Sequence, residues 1–410
     1  MNPPAIRAPA RLPARPAARE RRLRLALGLG RLIRRGTLAL ELPDGSRHLL
    51  GGAEPGPQAR VILRAPHALG RMLAGGSLGL AEAYLDGSWE SPDLRAVMAL
   101  AAANEEEWAA LLRGRRWMRA LALLAHRLRR NSRPGARRNI HAHYDLGNDF
   151  YALWLDPSMT YSSAIFDTPD EPLEAAQARK FRRLCRAIGL APGMRLLEIG
   201  CGWGRLAEIA AGEFGATVEA ITLSPAQAEA ARTRIARAGL AERVRIREVD
   251  YREVAGDFDR IVSVEMFEAV GEEYWPAFFA TLRARLRPGG LAGLQVITIA
   301  DRFFADYRRT ADFIQRHVFP GGMLPSPRRL AEEAARAGLA WRDADWFGAH
   351  YAETLARWQH SFQAAWPRIA SLGRYDARFK RLWEYYLAYC ETGFRAGWTD
   401  VGQIVLARPA

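Results

Sequence analysis

Strands and helices that alternate along most of the chain, with a glycine-rich turn at their head, most limit how this sequence can fold. Residues 194–199 read as a buried strand that runs into Glu198-Ile199-Gly200-Cys201-Gly202-Trp203-Gly204, and a helix follows. Residues 217–223, 244–249, 258–264 and 291–299 read as further strands, and 225–238 and 274–286 as helices. Pro225 suits a first helical turn, and Arg287-Pro288-Gly289-Gly290 reads as a chain reversal. This alternation predicts an α/β fold, Rossmann-like and doubly wound around a mostly parallel sheet. Such sheets bind ligands at the carboxyl ends of their strands.

Glycines in the turn let the backbone bend sharply and approach a ligand where a Cβ would clash. A dinucleotide site would show Gly-x-Gly-x-x-Gly and an acid at the end of the next strand. Here the third glycine comes one residue early, and Thr222-Leu223-Ser224 stands at that strand end. The spacing favours S-adenosylmethionine over NAD.

Charge is distributed unevenly. The chain has 410 residues and a net charge of +14, all of it carried by the first 140; the remaining 270 balance to zero. A positive surface of that kind calls for an anionic partner: nucleic acid, anionic lipid or an acidic protein. The N-terminal strands show no aromatic-basic interleaving of the kind a nucleic-acid platform uses. Residues 1–22 read as a disordered basic tail without the apolar core of a signal peptide. Residues 23–105, with strand-like pieces at 37–42 and 59–63, read as a small α+β domain. A basic helical connector is expected over 106–138, where Trp117, Leu121, Leu124 and Leu128 recur at helical spacing among arginines. Such a helix lies on a membrane or docks on its own protein. No run approaches a membrane span, and three cysteines, Cys185, Cys201 and Cys390, do not make a disulfide framework or a zinc site. A cytoplasmic location is expected.

Several ordered motifs carry a family resemblance. They are His143-Tyr144-Asp145-Leu146-Gly147-Asn148, Met159-Thr160-Tyr161-Ser162-Ser163-Ala164, the glycine turn, and Thr222-Leu223-Ser224-Pro225-Ala226-Gln227. Asp250-Tyr251-Arg252, Met266-Phe267-Glu268, Phe319-Pro320-Gly321-Gly322-Met323-Leu324-Pro325 and Tyr385-Tyr386 ahead of Cys390 continue the series. In these the chain resembles the cyclopropane-fatty-acyl-phospholipid synthases and mycolic acid methyltransferases. The piece Gly79-Leu80-Ala81-Glu82-Ala83-Tyr84-Leu85-Asp86-Gly87 resembles the longer synthases, which place a small lipid-binding domain first. The resemblance implies a class I S-adenosylmethionine-dependent methyltransferase over 139–410, acting on an anionic membrane phospholipid with unsaturated acyl chains, from the inner membrane face. It is compatible with a homodimer and gives no role to nucleic acid.

Position by position, the resemblance puts Tyr161, Ser162, Gly200, Gly202, Thr222, Gln227, Tyr251 and Arg252 at the cofactor, and Glu198, Gly204, Ser224 and Asp250 complete that set. No metal is expected. In the family a bicarbonate ion acts as base, and the matching ligand positions are Ser163, Glu268, Gln295, Ile297 through its backbone, and Tyr351. Two depart from the usual pattern, which has Cys at Ser163 and His at Gln295. Glu265 and Ala269 stand where Gly and His are expected.

The chemistry accounts for these groups. An isolated alkene is a poor nucleophile, so the sulfonium methyl must be held in line with it in a dry pocket. Attack leaves a carbocation; loss of a proton from the added methyl closes a three-membered ring, and loss from a neighbouring carbon leaves a methyl-branched alkene. The base therefore chooses the product. Glu268 can orient bicarbonate or be the base itself, and Tyr351 can donate to the same oxygens. Gln295 can hydrogen-bond but cannot relay a proton as imidazole does; alternatively it satisfies a strand-edge hydrogen bond. Cys390 joins the candidates, although it lacks an evident base and also reads as a buried structural thiol. A small-molecule methyltransferase and a binding protein on a vestigial fold are the rival readings.

Overall fold

The computed structural model describes residues 28, 30–65, 67–113 and 146–410, in two compact units, Met1–Gly114 and Arg115–Ala410. The basic tail, most of the connector helix and His143-Tyr144-Asp145 lie outside the described residues.

In the first unit, β1 (Arg35–Glu41), β2 (Arg47–Gly51), β3 (Glu54–Leu63) and β4 (Trp89–Glu90) form one sheet in the order β2-β1-β3-β4. Alternation buries Leu38 and Leu40 of β1 and leaves the intervening residues half-buried. Helices α1 (Ala68–Leu85), α2 (Leu94–Ala103) and α3 (Glu105–Arg113) accompany the sheet, and Asp93 caps α2 by accepting the Ala96 N–H. An α+β unit is the architecture expected here.

The second unit begins with α4 (Asn148–Ala152) and α5 (Leu173–Ala187), then β5 (Arg195–Ile199), α6 (Arg205–Gly212), β6 (Thr217–Thr222), α7 (Pro225–Arg237) and β7 (Val244–Glu248). It continues with β8 (Phe258–Val264), α8 (Trp275–Arg285), β9 (Leu286–Ile299), α9 (Asp301–Tyr307), α10 (Phe313–His317) and α11 (Pro327–Arg336). β10 (Ala340–Trp346), α12 (Gly348–Ser371), α13 (Ala377–Arg395) and β11 (Thr399–Ala407) close the chain. The sheet order is β10-β11-β9-β8-β5-β6-β7. β9, β8, β5, β6 and β7 pair in parallel, while β11 joins β9 and β10 joins β11 antiparallel. Phe278, Phe279 and Leu282 belong to one buried cluster and Leu184, Leu206 and Ala210 to another, each packed against strand residues of this sheet. The mostly parallel, doubly wound fold is as expected.

One expected feature is corrected. Arg287-Pro288-Gly289-Gly290 does not reverse the chain; it lies inside β9. Phe258 pairs with Leu286 and Arg260 with Leu291, so the segment is a bulge that absorbs extra residues against β8. Gly289, at φ 76°, supplies the left-handed backbone the bulge uses.

Farther along β9, Gly293 sets how closely α5 lies on the sheet. A Cβ there would stand 2.8 Å from both Ile188 Cγ2 and Leu184 Cδ1. Among the described residues, no helix is long and apolar enough to cross a membrane. Gly293→Ala should push α5 off the sheet and cost about 1–3 kcal/mol in a denaturant titration, the usual range for overpacking; an unchanged midpoint would contradict this packing.

Candidate active site

The glycine turn leaves the carboxyl end of β5 and lines a pocket with the ends of β6 and β8. Gly200 has φ 85°, and a Cβ there would meet Met266 Cγ at 2.8 Å; Gly202 has φ 52° with open space where a Cβ would go. The turn is braced from outside, because Asn148 accepts the Trp203 indole N–H at 2.8 Å and donates to Ala226 O at 3.1 Å. Tyr161, Ser162, Glu198, Gly200, Gly202, Thr222, Gln227 and Tyr251, all expected at the cofactor, line this one pocket.

The four other expected cofactor residues are not in that lining, and each makes contacts of its own. Gly204 is the left-handed residue that starts α6. Ser224 caps α7 by accepting the Gln227 N–H. Asp250 caps a short 3-10 turn and grips the Arg252 guanidinium at 2.6 and 2.7 Å, and that guanidinium lies over the Tyr251 and Tyr274 rings.

Burial pushes the Glu198 carboxyl up to about 8. Its Oε2 is buried without a hydrogen-bond partner among the described residues. A lone buried carboxylate oxygen in a pocket fits a cationic ligand, and S-adenosylmethionine carries a sulfonium and an ammonium.

Three of the candidate catalytic residues, Ser163, Gln295 and Tyr351, meet at Glu265, a residue marked in the sequence only as a departure. Glu265, directly after β8, also lines the pocket. Its Oε1 accepts the Ser163 backbone N–H at 2.8 Å and the Gln295 amide N–H at 2.7 Å, and its Oε2 accepts the Tyr351 hydroxyl at 2.6 Å. Gln295 is oriented by Gln403 of β11, whose amide donates to Gln295 Oε1 at 3.1 Å and to Lys180 O at 2.9 Å. Burial raises the Glu265 carboxyl, while the Lys180 charge and the three donors oppose that rise. Lys180, fully buried on α5, donates to Ser162 Oγ. Burial brings it down to about 7 against the pull of Glu265 and Asp156.

Glu268 is held separately. Its Oε1 accepts the Ile297 N–H at 2.5 Å, and its Oε2 is buried without a partner among the described residues. Burial first, and then the neighbouring Glu265 charge, push it up to about 8. Burial and the Asp312 charge raise the Cys390 thiol far above its ordinary value. That shift disfavours the thiolate a nucleophile needs.

Bicarbonate does not fit this arrangement. Of the donors that would hold it, Ser163, Gln295 and Tyr351 are spent on Glu265, and Ile297 on Glu268. Sequence reasoning recorded Glu265 only as a departure and gave Lys180 and Gln403 no part. Lys180 carried one signal, being one of two lysines in a chain of arginines.

Fold and pocket together define an S-adenosylmethionine-binding transferase of the Rossmann-like class. A family model described as mycolic acid cyclopropane synthetase matches residues 131–404, and the chain belongs to that family. It is 41% identical over 390 residues, 92% of this chain and 90% of the relative, to a tuberculostearic acid methyltransferase of Mycobacterium tuberculosis. It is 36% identical over 374 residues, 90% of this chain and 93% of the relative, to the cyclopropane-fatty-acyl-phospholipid synthase of Escherichia coli. A solved mycolic acid cyclopropane synthase complexed with SAH and CTAB superimposes with a TM-score of 0.62 at 32% identity, over 66% of this chain and 98% of that one.

Glu198 gives the pocket a pH signature. Below about pH 8 it is protonated, and a bound cation lowers its pKa, so binding releases a proton and tightens as pH rises toward 8. Calorimetry with S-adenosylhomocysteine, which keeps the ammonium, should read that proton release in buffers of different ionisation enthalpy. Glu198→Gln should weaken binding by about 1.5–3 kcal/mol and reduce the proton release; equal release in both proteins would refute the assignment.

Proposed function

We propose that the protein transfers one carbon from S-adenosylmethionine to the double bond of an unsaturated fatty acyl chain on a membrane phospholipid, closing a cyclopropane ring. S-adenosylmethionine-dependent lipid modification is the class its family defines; the phospholipid alkene and the ring are the proposal. The observation that carries it is a carboxylate held by Ser163, Gln295 and Tyr351 in the lining of the donor pocket.

When bound, S-adenosylmethionine supplies an electrophilic methyl on a sulfonium. Tyr161 and Ser162 line the pocket beside Glu265. The Tyr161 hydroxyl donates to Tyr386 at 2.9 Å, and its ring lies 5.2 Å from that of Trp358, so an aromatic wall borders the site. Aromatic faces favour a developing cation and exclude water that would trap it. A soluble amine substrate has no need of a basic N-terminal third.

That basic third suits an anionic bilayer, each basic residue near the surface contributing roughly 1 kcal/mol of attraction. The first unit then serves as a lipid-binding domain, and the enzyme works as a peripheral protein on the cytoplasmic membrane face.

A second reading, a methyl- or methylene-branched chain without a ring, draws support from Gln295. Its amide donates to Glu265 and accepts from Gln403, so the group beside the base is an amide that cannot relay a proton. Incubation with methyl-labelled S-adenosylmethionine and unsaturated phospholipid vesicles, followed by NMR of the lipid, decides between the two. Cyclopropane proton signals are expected; olefinic methylene or methyl-branched alkene signals would replace ring closure with the second reading, and absence of label would refute both. Vesicle co-sedimentation should rise with anionic lipid and fall with salt; indifference to both would remove the membrane part.

A further inference from the structure

The Glu265 carboxylate sits among donors that the family resemblance assigns to a bicarbonate ion. We infer that Glu265 is the proton acceptor of this enzyme and that the reaction proceeds without bicarbonate. The inference rests on the one-carbon transfer proposed above and names the residue that performs its last step.

Three observations converge. Both Glu265 oxygens are engaged by groups from three separate elements: the segment before α5, strand β9 and helix α12. Three donors on one carboxylate stabilise its charged form, as a proton acceptor needs. Next, Glu265 sits at φ 49°, one of two non-glycine residues with positive φ among the described residues. Glycine adopts that backbone freely, whereas another side chain pays about 1–3 kcal/mol. Such strain persists where the surroundings over-determine it, and here the side chain is fixed at both oxygens. Finally, Lys180 and Gln403 complete a support behind the cradle: Lys180 supplies the opposing charge, and Gln403 bridges Lys180 O to Gln295.

The step balances without a further reactant. The alkene π pair forms the new C–C bond as the S–CH3 bond breaks, and that bond's electrons stay on sulfur. The carbon left electron-deficient is neutralised when a C–H bond of the added methyl gives its electron pair to ring closure. The proton passes to a Glu265 oxygen, which then returns it to solvent. Abstraction from a neighbouring carbon uses the same acceptor and gives the branched alkene.

The test compares the wild-type enzyme with Glu265→Gly and Glu265→Gln in carbon-dioxide-scrubbed and bicarbonate-supplemented buffer, with thermal unfolding to confirm folding. Wild-type transfer should be the same in both buffers. Glu265→Gln should lose about 10²–10⁴-fold, the usual worth of a positioned base, with or without bicarbonate. Glu265→Gly, which empties the cradle, should lose a similar factor and regain activity when bicarbonate is added. Binding of ¹³C-labelled bicarbonate, followed by NMR, reads the cradle independently of turnover: none is expected for the wild type, and binding for Glu265→Gly. Wild-type activity that falls on scrubbing, bicarbonate bound by the wild type, or an active Glu265→Gln would each overturn the inference. If no phospholipid were labelled at all, the proposed function would fail, while the bicarbonate measurement would still report on Glu265.

Discussion

Two opposite charges withdrawn from water, Glu265 and Lys180, organise the catalytic unit around them. A buried carboxylate or ammonium loses its hydration, and only an opposing charge and well-aimed hydrogen bonds repay the loss. Glu265 has Ser163, Gln295, Tyr351 and the Lys180 charge; Lys180 has Ser162, Glu265 and Asp156. The Glu265 partners come from four parts of the chain, so the cradle forms only when β8, β9, α5 and α12 are all in place. Gly293 admits α5 to the sheet at the distance Lys180 requires, and β11 brings Gln403 to lock the Gln295 amide. Removing one charge would leave the other stranded, typically at a cost of about 3–5 kcal/mol. Catalytic geometry and stability are therefore coupled here.

Local signals in the sequence were enough to find the strands of the parallel sheet and the glycine turn. Continuous apolar runs mark buried strands, and glycine spacing marks a ligand-facing turn. The signal misled at Arg287-Pro288-Gly289-Gly290, because the residues that favour a turn also favour a bulge. Which one forms is decided by pairing with Phe258 and Arg260, and no local reading contains that pairing. Ser224, Asp250 and Arg252 stand in the cofactor motifs, and in the fold Ser224 caps α7 while Asp250 caps a 3-10 turn and pairs with Arg252. Motif position reports closeness to a site more faithfully than the direction of a side chain.

Ser163, Gln295 and Tyr351 were all legible as candidates, and the structure does bring them together. Their common target was not legible, because a departure at residue 265 shows only that a glycine is missing. That a glutamate side chain would turn back into the cradle depends on its left-handed backbone and on donors more than 25 residues away in either direction. Sequence alone therefore favoured Glu268, the acid that keeps its family motif, over Glu265, the one that breaks the pattern.

The contrast between these two acids divides their roles. Glu268 receives one backbone N–H and has a second oxygen without a partner among the described residues, so burial and the Glu265 charge dominate and push it up to about 8. Its ionised form is therefore disfavoured at neutral pH. Glu265 is raised by the same burial, and the Lys180 charge and three donors oppose that rise. Burial therefore acts on both carboxyls in the same direction, and what separates them is the set of groups each one meets: Glu265 gathers Ser163, Gln295, Tyr351 and the Lys180 charge, whereas Glu268 meets the Ile297 N–H and the Glu265 charge. Only Glu265 of the two reaches the lining of the donor pocket.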